Sequence, residues 1–191
     1  MRFLGLADLP GRLDGGRRGS LGARRLNDAA LDLARRWAHR SDLTIRHVTG
    51  TRDYQRCVDA RPESSGALNY ELVEYEDDMA GLYARSDVVV TRAGAVTVAE
   101  LAVSATPAVV VPLPGAPSDH QTANGRALAA VGAAVVVPDG ECDGARLARE
   151  LDPLLADPAR LAVMRAGAAS LARPDAAARV ADLVEEATGA G

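Results

Sequence analysis

From residue 43 onward the chain alternates short apolar runs of β type with amphipathic helical runs, and no other feature restricts its fold as much. The β-type runs fall at 43–48, 71–75, 87–91, 108–112 and 133–137, each short, carrying Val or Ile, and bounded by Gly, Pro or Asp. Helical stretches of about 10 to 20 residues separate them. The first, from Ser20 to about Arg40, sets Leu26, Ala30, Leu33 and Trp37 on one face at i, i+4, i+7 and i+11. The runs 87–91 and 133–137 are almost continuously apolar, as expected of strands covered by helices on both faces. Repeated strand–helix alternation predicts an α/β fold, a Rossmann-like doubly wound parallel sheet.

Both ends depart from that rhythm. From Cys142 to Thr188 the chain is helical and rich in Ala, Leu and Arg, with breaks expected at Pro153, Pro158 and Pro174. The last helix, about Pro174 to Ala187, puts Ala178, Val180, Ala181 and Val184 on one side, enough to dock on another surface. The stretch 11–19 holds four Gly and three Arg, with no β-type run directly before the turn at Gly19-Ser20. Residues 1–19 therefore read as an irregular Gly/Arg-rich leader ahead of a domain at 20–191. The alternative is a first strand at Arg2–Ala7, which requires a long connecting loop. A sheet without its central strand leaves unpaired edges, so low stability is expected.

Composition narrows the function. A chain of 191 residues fits one domain, and 48% hydrophobic with only 3% aromatic residues means a core of Ala, Val and Leu. The net charge of -4 argues against a nucleic-acid partner, which demands a basic face. No apolar run approaches the roughly 20 residues of a membrane span. Nor does a charged-then-apolar leader mark a signal peptide, so a cytoplasmic protein is expected. All 22 basic residues are Arg. Without Lys there is no P-loop lysine, pyridoxal Schiff base or Ser–Lys dyad. Cys57 and Cys142 form no CxxC pattern, and His39, His47 and His120 are not spaced as a ligand pair. Reduced thiols, no metal site and no cofactor are the expectation.

Ligands of doubly wound sheets bind at the carboxyl ends of the strands, where three turns draw notice. The first is Gly19-Ser20-Leu21-Gly22-Ala23, whose small residues let backbone N–H groups approach a phosphate at a helix N-terminus. Gly-Ser before a helix also serves as ordinary N-capping. The second follows run 87–91: Gly94 and Ala95 open a helix that could face a diphosphate, and Thr97, Glu100 and Ser104 share one of its faces. Glu100 could accept hydrogen bonds from a ribose diol, or simply be a solvated residue near the positive helix end. The third is the Pro-rich loop 112–118 and the helix after it, for which Asp119 is a candidate cap. His120, Gln121 and Asn124 gather imidazole and amide groups suited to sugar hydroxyls. His47 ends a strand and could point into the same cleft. Glu76-Asp77-Asp78 reads as carboxylates at the N-terminus of a helix over 79–85, not as a metal motif.

In this order, Gly19-Ser20-Leu21-Gly22-Ala23-Arg24-Arg25-Leu26-Asn27, His47-Val48-Thr49-Gly50, Tyr75-Glu76-Asp77-Asp78-Met79, the segment 92–100 and Asp119-His120-Gln121-Thr122-Ala123-Asn124 resemble the carboxyl-terminal half of the MurG family. The resemblance runs from about Gly19 to the end of the chain. It implies the donor-binding half of a GT-B glycosyltransferase that moves N-acetylglucosamine from UDP-GlcNAc to a lipid-linked MurNAc-pentapeptide in peptidoglycan synthesis. Carried over, Ser20 and the loop Gly94, Ala95, Val96, Thr97, Val98 and Ala99 would contact the diphosphate. Glu100 would hold the ribose, the backbone near Glu76 would meet uracil, and His120, Gln121 and Asn124 would meet the sugar. The chain departs from the family in two places: Arg17-Arg18 separate Gly15-Gly16 from Gly19-Ser20, and position 76, usually apolar, is Glu. In the family an amino-terminal domain supplies the lipid acceptor site, the membrane-binding patch and the expected catalytic base. Residues 1–19 hold no counterpart, so the resemblance implies a chain that is inactive alone. With an acceptor domain it would work at the cytoplasmic face of the plasma membrane. Two alternatives stay open: a non-catalytic nucleotide-sugar-binding module, and an enzyme resembling the UDP-GlcNAc 2-epimerases.

Overall fold

The computed structural model describes residues 1–7, 20–62 and 67–189. Its strands are β1 (Arg2–Ala7), β2 (Leu43–Val48), β3 (Asn69–Val73), β4 (Val88–Thr91), β5 (Ala108–Val110) and β6 (Ala134–Val136). Its helices are α1 (Ser20–Arg36), α2 (Tyr54–Asp59), α3 (Met79–Arg85), α4 (Ala95–Val103), α5 (His120–Ala130), α6 (Gly144–Ala156), α7 (Pro158–Ser170) and α8 (Ala176–Gly189). The strands form one parallel sheet in the order β3-β2-β1-β4-β5-β6. The expected doubly wound α/β architecture is present.

Helices cover both faces. On one, Leu26, Ala30, Leu33 and Trp37 join Leu147, Leu151 and Leu154 of α6 over Leu4, Leu6, Ile45 and Val90. On the other, Leu101 of α4, Leu128 of α5 and Ala168 of α7 pack over Val89 and Val110.

The amino terminus corrects the expected leader over 1–19. Arg2–Ala7 is not irregular: it is the strand β1, paired with β2 on one side and β4 on the other. Leu4 and Leu6 are fully buried, each contributing about 1.5–3 kcal/mol of apolar transfer. Gly5 permits close contact on the opposite face, where a Cβ would stand 2.9 Å from Ser86 Oγ. The carboxylate of Asp87 accepts from Phe3 N at 2.8 Å and Arg2 Nη1 at 3.0 Å, fastening the strand. The centre of the sheet is filled, so the premise behind the expected low stability falls away. Residues 8–19, with the rest of the expected leader, lie outside the described residues.

Two further expectations change. Helix α6 runs through Pro153 instead of breaking there. The proline sits exposed in the last turn, while buried Leu151, Leu154 and Leu155 hold that turn against the core. At Pro158 the break is real: Asp157 accepts from Arg160 N and starts α7. Along α8, Val180 and Val184 are 60% and 57% exposed, so the apolar side of this helix is not covered by the described part of the chain.

Candidate functional site

The sheet order makes β1 and β4 a switch point: the chain leaves β1 toward β2 and β4 toward β5, opening a crevice at their carboxyl ends. Helix α1 follows β1 and α4 follows β4, so both point their N-termini at that edge. Ser20 is the first residue of α1; its side chain lies outside the described residues. Beneath the edge, Thr91 ends β4 with a buried Oγ1 that has no hydrogen-bond partner among the described residues.

Gly94 stands at the N-cap of α4 in an extended conformation (φ -62°, ψ 149°) with no side-chain cap. The first amides of an α-helix lack intrahelical acceptors. Ala95 and Val96 at this end are exposed, whereas Thr97 is buried. One turn on, half-buried Glu100 accepts a hydrogen bond from Tyr83 Oη at 3.2 Å through Oε2. Burial and the neighbouring Glu100 charge push the Tyr83 phenol up, so it stays protonated and donates. Val98 is half-buried and Ala99 exposed.

The loop before α5 joins this turn through two carboxamides. Gln121 Oε1 accepts from Leu113 N at 2.9 Å and from Ala93 N at 3.2 Å. Asn124 Nδ2 donates to Ala93 O at 3.0 Å. Each amide thus spends one end on the backbone beside Gly94. Among the described residues, Gln121 Nε2 and Asn124 Oδ1 make no hydrogen bond, leaving a donor and an acceptor of the kind a hydroxyl requires. The exposed His120 pairs Nδ1 with Pro117 O at 2.7 Å, which makes Nδ1 the donor and Nε2 the acceptor of the neutral ring. Ser118 and Asp119 both adopt φ of 51°, a left-handed conformation costly to non-glycine residues. Asp119 occupies the N-cap position of α5, but its side chain does not cap the helix as expected. The left-handed backbone turns the carboxylate aside, and it accepts from Thr122 Oγ1 at 2.7 Å.

Two residues singled out in the sequence are placed elsewhere. His47 does not face the crevice. Along β2, Leu43, Ile45 and His47 share the face toward α1, so the imidazole is buried beneath that helix. There Nε2 meets Asn27 Oδ1 at 2.8 Å and Nδ1 meets Tyr70 Oη at 2.7 Å. Asn27 Nδ2 donates to Thr49 O at 3.1 Å, so its Oδ1 accepts from His47 Nε2 and the phenol donates to Nδ1. Burial first, and the Arg56 guanidinium second, lower the His47 pKa to about 3. The Glu76 side chain is also buried, accepting from Arg46 Nε at 2.5 Å, Arg85 Nη2 at 3.3 Å and Asp78 N at 3.3 Å. Among the described residues, no hydrogen bond or ion pair joins Glu76 to Gly94, Gln121 or Asn124.

The sequence reading passed over Tyr83 and Asp139. Asp139 pairs with Arg92 Nη1 at 2.8 Å and with Arg25 Nε at 3.0 Å. No motif announces either residue; only the proximity of elements distant in sequence brings them in. Cys57 and Cys142 are free and buried, and burial raises both thiols to about 11. No group of three metal-ligating side chains occurs among the described residues. Nor is any helix among them long and apolar enough to cross a membrane.

The profile of the glycosyltransferase family 28 C-terminal domain matches residues 18–180. The chain belongs to that family. As a family 28 C-terminal domain it is 45% identical over 88% of its length to the UDP-N-acetylglucosamine--N-acetylmuramyl-(pentapeptide) pyrophosphoryl-undecaprenol N-acetylglucosamine transferase of Alkalilimnicola ehrlichii, covering 47% of that protein. The namesake from Gloeobacter violaceus is 39% identical over 88% of the chain, with 46% of its own length covered. Among solved structures, Acinetobacter baumannii MurG superposes with a TM-score of 0.77 and 28% identity, over 97% of this chain and 52% of that one. The chain therefore spans about half the length of the relatives it matches, and its sheet corresponds to the carboxyl-terminal GT-B half.

Proposed function

We propose that the crevice at the carboxyl edge binds UDP-GlcNAc as the donor half of a MurG-type transferase acting on lipid-linked MurNAc-pentapeptide. The observation that carries this reading is the pair of carboxamides, Gln121 and Asn124, pinned to Ala93 with one polar end each unspent. They stand beside the uncapped start of α4, so groups for sugar hydroxyls and for an anion are adjacent. Glu100 has one oxygen held by Tyr83 and the other available to a ribose diol. Ser20 and the 94–99 loop take the diphosphate, the backbone near Glu76 takes uracil, and His120 joins Gln121 and Asn124 at the sugar. In the inverting reaction the acceptor 4-hydroxyl attacks the anomeric carbon and UDP leaves. The amides opening α4 stabilise the charge growing on that leaving group. Acceptor site, general base and contact with the cytoplasmic membrane face come from the other half of the MurG plan.

Calorimetric titration with UDP-GlcNAc and UDP tests this reading. Both ligands bind, and Glu100→Ala weakens each at least about tenfold, as loss of hydrogen bonds to a charged group implies. A folded chain that binds neither ligand overturns it, leaving the family name as ancestry alone.

A further inference from the structure

We propose that Asp139 is a positioning residue that sets the spacing of the two helix N-termini facing the donor diphosphate, an inference that rests on the donor-site reading above. The residue lies in none of the three turns that the sequence brings forward. It opens a single 3-10 turn, Asp139–Glu141, directly after β6 and Pro138. Its two oxygens are divided between two guanidinium groups, Oδ1 to Arg92 Nη1 at 2.8 Å and Oδ2 to Arg25 Nε at 3.0 Å. Arg25 belongs to the second turn of α1, and Arg92 immediately precedes Ala93 and the Gly94 cap of α4. These helices pack on opposite faces of the sheet and flank the β1–β4 switch point.

Arg92 Nη1 also donates to Val111 O at 2.9 Å, just past β5. A continuous set of contacts thus runs along the carboxyl edge, from the end of β4 past β5 to the turn after β6, and from there up to α1. The Arg92 and Asp139 side chains are only 5% and 14% exposed, so solvent and salt screen this pair little. Charge-assisted bonds of this kind hold geometry better than neutral ones. An anion bound by amides at two helix starts gains from both only when their separation is fixed, to within about 0.5 Å.

Asp139→Asn keeps the shape and removes the charge, and two accounts of it predict opposite signs. If Asp139 only neutralises Arg25, the variant frees a cation and binds UDP more tightly. If Asp139 positions the helices, UDP binding weakens. The test measures UDP affinity by calorimetry and uridine affinity by NMR titration on the full chain, with thermal melts alongside. The expected result is about a tenfold loss for UDP, the equivalent of about 1.4 kcal/mol, with uridine unchanged. Arg25→Gln gives the same pattern, and combining the two substitutions adds little, as expected of coupled partners. Arg25 is 47% exposed, so its substitution carries the test even if Asp139→Asn fails to fold. UDP binding that is unchanged or tighter overturns the proposal, and so does an equal loss for UDP and uridine, which marks a general structural role. A wild-type chain that binds neither ligand overturns the donor-site reading itself, and this proposal with it.

Discussion

The fate of His47 turns on the two-residue period of a strand, which sends the ring under α1 into a cage of Asn27 and Tyr70. The sequence places it at a strand end near the crevice, and only the alternation of faces distinguishes the two outcomes. Its pKa of about 3 lies below the ordinary value of 6.5, so the unfolded chain binds a proton that the native state refuses. Stability is then fully present above about pH 6.5 and drains away as pH falls toward 3, by up to about 1.4 kcal/mol for each unit. Denaturant unfolding between pH 7 and pH 4 should show this slope, and His47→Asn should flatten it. A slope unchanged in the variant would place the acid sensitivity elsewhere. The buried Glu76 carboxylate is tolerated because Arg46 and Arg85 close around it.

Among the elements, β1 matters most to the sheet and was the least legible in the sequence. Its six residues are followed by a Gly/Arg-rich stretch, so the local pattern of strand running straight into helix is missing. Leu4 and Leu6 nevertheless complete the core beneath α1, and both flanking strands take their register from this one. Deleting residues 1–7 should therefore abolish cooperative thermal unfolding, followed by circular dichroism. Retention of a sharp melt would show that the rest of the sheet closes without it. Helices α1 and α6 give a second case. Gly144 opens α6 so close to α1 that a Cβ would stand 2.6 Å from Leu33 N, a demand no local pattern discloses. By contrast, β2 and α3 fall where the sequence reading sets them, because each is a short periodic segment bounded by turn residues.

For the molecule as a whole, the crevice is assembled from the ends of several strands, and the chain matches about half the length of its MurG relatives. Mixing the chain with the amino-terminal half of such a relative, together with lipid acceptor and UDP-GlcNAc, should yield transfer that neither half performs alone. Turnover by this chain alone at the rate of a full-length enzyme would refute the division of labour proposed here. The sequence by itself determined the strand–helix alternation, the parallel sheet, the three turns and the family. Those are written in short-range periodicity and in contiguous motifs. Only the tertiary structure decided that Arg2–Ala7 is the central strand, that His47 is buried, that Gln121 and Asn124 grip Ala93, and that Asp139 joins Arg25 to Arg92. Each of these depends on which distant segments meet, and that is set by the packing of two helical layers on a twisted sheet, not by any residue's neighbours in the chain.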